Sequence, residues 1–184
     1  MFSSHTFRSV SLAACLALAG PLAVHAADGI ARADASFIKK AAAGGMAEVE
    51  LGKLAQQRAG SDAVKQFGAR MEKDHSAANE KLKSIAAAKG VELPAPDDKK
   101  VHKDMAKLQD KSGADFDKAY MKHMVGDHKK DVSNFEKEAK SGKDADVKAF
   151  AAETLPTLKE HRELAEKTYN SVKGSRVARN DTRR

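Results

Sequence analysis

Four ionisable side chains, Glu48, His75, His128 and His161, stand where hydrophobic ones are expected. Each interrupts an apolar series spaced by three and four residues, the spacing that lines one face of a helix. The first two series are Phe37, Ala41, Gly44, Glu48, Leu51, Ala55 and Val64, Phe67, Met71, His75, Ala78, Leu82, Ile85. The other two are Met121, Val125, His128, Val132, Phe135, Ala139 and Val147, Ala151, Thr154, Leu158, His161, Ala165. A polar group on such a stripe loses its water, which costs about 2–7 kcal/mol unless a partner replaces it. The four are therefore expected to bond one another, a water or a metal ion. Imidazole dominates the set, which suits Fe, Mn, Zn or Cu better than Mg or Ca. The alternative is a hydrogen-bonded polar cluster without metal that fixes the register of the helices.

Three of the four follow an acid directly, in Asp74-His75, Asp127-His128 and Glu160-His161. Adjacent helical positions lie about 100° apart, so each acid flanks the seam and can orient a histidine on a neighbouring helix. Glu72 and His75 also form Glu-x-x-His, the spacing by which one helix gives two ligands to a di-iron site. The candidate metal set is thus Glu48, Glu72, Asp74, His75, Asp127, His128, Glu160 and His161, with Glu48, His75, His128 and His161 at its core. Leu158 stands where a second Glu-x-x-His would place its Glu, a departure from the di-iron pattern. Met71, Met121 and Met124 read as core filler rather than Cu(I) ligands, and His102 and His123 as surface residues. No Ser/His/Asp set, phosphate loop or dinucleotide fingerprint is present, so hydrolase chemistry has no support. One Cys excludes an internal disulfide and a zinc site of clustered thiolates.

The elements that must position these residues are helices. The chain of 184 residues is rich in Ala, Lys, Glu and Leu, poor in β-branched and aromatic residues, and long enough for one domain. The first helix is expected from Asp34, as N-cap, to about Ala59, and the second from the Ser61 cap to Gly90. Val91–Asp98, with Pro94 and Pro96, reads as a connector, followed by a short helix from about Asp98 to Lys111. Two further helices are expected over Ala114–Lys140 and Ala145–Lys173, the last kinked at Pro156 and stopped by Gly174. Tight turns within each pair and one long connection between pairs describe an all-α, ferritin-like four-helix bundle. It consists of two antiparallel hairpins joined by a long crossover that carries a short extra helix. Gly44-Gly45 and Gly52 cost helix stability and point to close helix approach. Phe67, Met71, Asp74-His75, Leu82 and Ala86 recur as Tyr120, Met124, Asp127-His128, Phe135 and Ala139, as a helix duplication or a shared packing problem would produce.

The run Glu48-Val49-Glu50-Leu51-Gly52-Lys53-Leu54-Ala55, the two Asp-His pairs and Leu155-Pro156 ahead of His161 resemble the bacterial envelope family called DUF4142. The resemblance covers about Ala33 to Val172. It implies a ferritin-like bundle in the periplasm or at the outer membrane and carries over no established activity. A β-barrel does not fit, because no segment alternates as barrel strands do.

Residues 1–26 read as a cleaved signal peptide, with Arg8, the apolar run Val10–Leu18 and the small-x-small signal Val24-His25-Ala26. Leu12-Ala13-Ala14-Cys15 resembles a lipoprotein box, but the apolar run continues past it, so lipidation of Cys15 is the less favoured outcome. Cleavage after Ala26 leaves a chain without Cys, which suits the periplasm. The domain is expected over 27–173 and a basic, disordered tail over 174–184. The formal charge of +7 falls to +6 without Arg8, and half of that belongs to the tail. Contact of the tail with anionic lipid or cell-wall polymer follows from charge alone. Nucleic acid is excluded as a partner by the absence of a recognition motif and of aromatic platforms, and no segment suits a transmembrane helix. The expected role is that of an exported, non-enzymatic bundle with a structural or stress-related function. The alternative is a metal-binding or redox protein built on the Glu/His/His/His cluster.

Overall fold

The computed structural model describes the backbone of residues 29–95 and 99–181, with side chains over 29–95 and 103–174. The expected signal peptide with Cys15 lies outside the described residues, as do the side chains of His102 and of the tail arginines. Five helices follow one another: α1 (Arg32–Arg58), α2 (Asp62–Ala88), α3 (Lys99–Ala106), α4 (Gly113–Ser141) and α5 (Ala145–Asp181). Beside them the described residues hold one isolated bridge, between Ala59 and Gly113. The chain is an all-α bundle, and among the described residues no helix is long and apolar enough to cross a membrane.

Local chemistry sets the boundaries. The Ser61 hydroxyl accepts from the Val64 N–H at 3.3 Å, capping α2 as its sequence requires. At the other end Gly90 adopts φ +64°, and the N–H groups of Gly90 and Val91 return to the carbonyls of Ala87 and Ala86. That pair of bonds needs a left-handed residue, which glycine provides without steric cost. Asp34 behaves differently from expectation. Helix α1 begins at Arg32, and the buried Asp34 carboxylate accepts the N–H groups of Lys143 and Asp144 at 3.0 and 2.6 Å. It holds the α4–α5 turn rather than capping its own helix. Asp144 in turn caps α5 through the N–H groups of Asp146 and Val147. Helix α5 also runs through Pro156 and Gly174 to Asp181, beyond the expected stop at Lys173. A glycine with ordinary helical φ costs only about 1 kcal/mol, too little to end a helix by itself.

The helices pair as α1 with α2 and α4 with α5, and the two hairpins meet through α1 against α4 and α2 against α5. Lys89, at the end of α2, pairs with Asp144 and Asp146 at the start of α5. The chain then returns along the bundle through α3, which lies on α1, to begin α4 beside the α1–α2 turn. There the Gly60 N–H donates to Asp117 Oδ1 at 2.9 Å. Every neighbouring pair of the four long helices is therefore antiparallel, and one long connection joins the hairpins.

Within the first hairpin, α1 and α2 touch backbone to backbone at Gly52 and Gly68. A Cβ on Gly52 would lie 2.5 Å from the Gly68 carbonyl oxygen and 2.9 Å from the Glu72 nitrogen. Two apolar layers fill the bundle. One gathers Leu51, Phe67, Met71, Phe116, Tyr120 and Met124 towards the α1–α2 turn. The other gathers Phe37, Ile38, Leu82, Phe135, Phe150 and Leu158 towards the α4–α5 turn. Glu48, His75, His128 and His161 occupy the waist between the layers, as the order along each helix dictates.

Candidate metal centre

The three histidines come from three helices, α2, α4 and α5, and each is placed by the apolar residues one or two turns to either side. Met71 and Leu82 flank His75, Met124 and Val132 flank His128, and Leu158 and Ala165 flank His161. Their rings form a near-equilateral triangle, with centroids 5.7, 5.4 and 5.4 Å apart. One ring nitrogen of each lies within 4.8 Å of one from both others. All three are buried, with His75 the most exposed at 7% and His128 at 0%.

Hydrogen bonds fix the tautomers of two rings. His128 donates from Nδ1 to the Met124 carbonyl oxygen at 2.9 Å, one turn back on α4. His161 donates from Nε2 to Asp74 Oδ2 at 2.9 Å, across the α2–α5 interface. Because both acceptors lack a proton, His128 Nε2 and His161 Nδ1 carry the lone pairs. These two atoms and His75 Nε2 are buried and have no hydrogen-bond partner among the described residues. A neutral imidazole nitrogen that carries a lone pair in that condition is chemically able to act as a metal ligand.

Electrostatics keep the rings neutral. Burial pushes His128 down to about 4, helped by the charge that His161 would carry. Burial also holds His75 well below its ordinary value, with the other two imidazoles adding to the effect. For His161 burial again dominates, partly opposed by the hydrogen bond and charge of Asp74. Burial alone would raise the Asp74 carboxyl, but hydrogen bonds from His161 and Arg70 outweigh it and hold the group low. Arg70 spans two acids, donating to Asp74 at 3.2 Å and to Glu160 at 2.7 Å.

The expected eight-residue set thus separates by position. His75, His128 and His161 converge, and Asp74 supports His161 from behind. Glu48 is buried in the same waist, and its charge helps burial raise the buried Tyr120 hydroxyl, but it does not join the three nitrogens. Glu72 turns outward to accept from Gln56 Nε2 at 2.6 Å, and Glu160 is exposed beside Arg70. Asp127 leaves the cluster for a second one. Its Oδ2 lies 3.2 Å from His123 Nε2, which is 3.7 Å from Asp104 Oδ2. His123 is therefore half-buried between α3 and α4 rather than a surface residue. The His123/Asp127 spacing of one turn was the available signal, but Asp104 arrives through the crossover and no periodicity reveals it. Lys107 and Lys130 bind the other oxygens of the two acids at 2.7 and 3.1 Å.

The three nitrogens fit a metal ion of the imidazole-preferring kind. A tetrahedral ion with bonds of about 2.0–2.1 Å needs its ligand atoms about 3.3–3.4 Å apart. From separations of at most 4.8 Å, each ring reaches that spacing by moving inward less than about 1 Å. An ion held by three protein donors alone would keep a fourth position for an exogenous ligand.

The chain matches the family described as Domain of unknown function (DUF4142) over residues 19–168. No curated protein and no solved structure matches it.

Proposed function

We propose, for a chain that belongs to the DUF4142 family and so inherits no assigned chemistry, that the waist of the bundle is a metal-binding centre. His75 and His128 would bind through Nε2 and His161 through Nδ1. The observation that carries this reading is the convergence of three buried, neutral imidazoles, each presenting a nitrogen without a hydrogen-bond partner. Leaving three such buried nitrogens unsatisfied costs about 1–3 kcal/mol each, whereas an ion satisfies all three at once. The Met124 carbonyl and the Asp74 carboxylate fix ring orientation and raise the basicity of the donors, as partners behind metal-bound histidines do. Fe, Mn, Zn or Cu suits the donor set, and any of them would supply Lewis-acid or redox chemistry at the fourth position.

The leader-like residues 1–26 support export, so the same reading places the centre in the bacterial envelope, in the periplasm or at the outer membrane, with a role in metal or oxidant stress. Kinship with ferritin-like bundles belongs to this reading and rests on the single crossover connection. Metal analysis tests it. Untagged protein prepared without chelator and reloaded with each of the four metals is expected to hold one ion per chain, and a His75→Ala/His128→Ala variant none. Failure to hold any of them stoichiometrically would leave the waist a purely structural polar layer.

A further inference from the structure

Helix α1 carries two adjacent glycines, Gly44 and Gly45, on the turn before Glu48. Both have ordinary helical φ, so neither is required by a turn, and each costs about 1 kcal/mol relative to alanine. Gly45 has a steric reason, since a Cβ there would run into the side-chain amide of Asn79 on α2. Gly44 has none: a Cβ at that position meets nothing within 4 Å. The space it leaves open belongs to a cavity of about 30 Å³ whose lining includes Gly44, Gly45, Ala78, Asp131, Phe135 and His75. A volume of that size holds one or two water molecules, since about 10–15 Å³ suffices for one. The cavity is lined by all four long helices and includes one of the three histidines, the one that keeps 7% exposure while His128 and His161 keep 0% and 1%.

On the metal reading above, we infer that this cleft is the access route to the fourth coordination position and that it selects small uncharged ligands. Alanine, leucine and phenylalanine side chains form half of its lining, beside the uncharged polar Asn79 and Thr154, and these walls favour molecules without charge. Its volume of about 30 Å³ accommodates molecules of one to a few heavy atoms, such as water, dioxygen, hydrogen peroxide or nitric oxide, and is too small for a planar ring. The bare Gly44 position is the selective element, because any side chain there would project into the opening.

Nitric oxide binding to the Fe²⁺-loaded protein tests the inference. The wild type is expected to give an iron–nitrosyl absorption band by stopped flow, whereas imidazole leaves the spectrum unchanged. Gly44→Leu is expected to slow nitric oxide association by about tenfold or more, equivalent to about 1.4 kcal/mol added to the access barrier, with iron content unchanged. Ala78→Leu narrows the cleft from α2 and is expected to act in the same direction, so the conclusion does not depend on one variant folding. Unchanged association in both variants, or imidazole binding as readily as nitric oxide, would overturn the route. Iron bound but unreactive to nitric oxide would show a closed centre and overturn it too. Absence of bound iron, read separately by metal analysis, would instead overturn the metal reading on which the route rests.

Discussion

Acidification of the metal-free protein should reveal how the buried imidazoles are held. His128 is held at about 4 against an ordinary value of 6.5, mainly by burial. At pH 7 both folded and unfolded chains carry this group neutral, and it contributes nothing to the pH dependence. As pH falls below about 6.5 the unfolded chain takes up a proton that the folded chain refuses, so stability falls. By pH 4 the difference amounts to about 3 kcal/mol from His128 alone. His75 and His161 are lowered in the same direction and steepen the loss. The depressed carboxyls Asp74 and Asp144 begin to lose their contribution only at the acid end of this window, below about pH 5, and add little by pH 4. Glu138 has the opposite sign, because burial and the nearby Asp34 charge raise it and acid relieves that strain. Urea unfolding of chelator-treated protein from pH 7 to pH 4 reads the sum. With a slope of about 1–3 kcal/mol per M, the His128 contribution moves the midpoint down by about 1–3 M. His128→Phe, which keeps a ring against Phe67 and removes the titration, should lose about 3 kcal/mol less over the same interval. Equal acid sensitivity in parent and variant would refute the claim that this imidazole is buried neutral.

Three further outcomes follow from particular contacts. Asp74→Asn removes the carboxylate that orients His161 and should weaken metal binding by about 10–100-fold, measured by competition with a chelator of known affinity. Gly52→Ala should destabilise by about 1–3 kcal/mol in chemical denaturation, although alanine is the better helix former, because the new Cβ meets the Gly68 and Glu72 backbone, which cannot turn aside. Asp34→Ala should cost about 1–2 kcal/mol and speed amide exchange at Lys143 and Asp144, whose N–H groups lose their acceptor.

Much of this bundle is legible in the chain because one rule, apolar spacing of three and four, governs both the helices and the residues that interrupt them. The rule marks His75, His128 and His161 as inward-facing from spacing alone, and it places Glu48 in the same waist. It could not rank them, since membership of a cluster depends on the angle of each side chain within the layer, and Glu48 is not among the residues whose ligand atoms all lie within 4.8 Å of one another. Flanking acids were harder still. Asp74, Asp127 and Glu160 look alike beside their histidines, yet Asp74 supports a histidine on another helix, Asp127 joins His123, and Glu160 meets Arg70 in solvent. Those fates are set by which helix packs opposite, a long-range fact that periodicity along one helix does not hold. Asp34 shows the same limit, because its partners lie more than a hundred residues further along the chain.

The most direct test of the centre is an anomalous difference map from crystals of the Zn²⁺-loaded protein. The three-histidine centre predicts one strong peak about 2.0–2.1 Å from His75 Nε2, His128 Nε2 and His161 Nδ1. A peak only among Asp104, His123 and Asp127, or none in the waist of crystals grown with excess zinc, would contradict it.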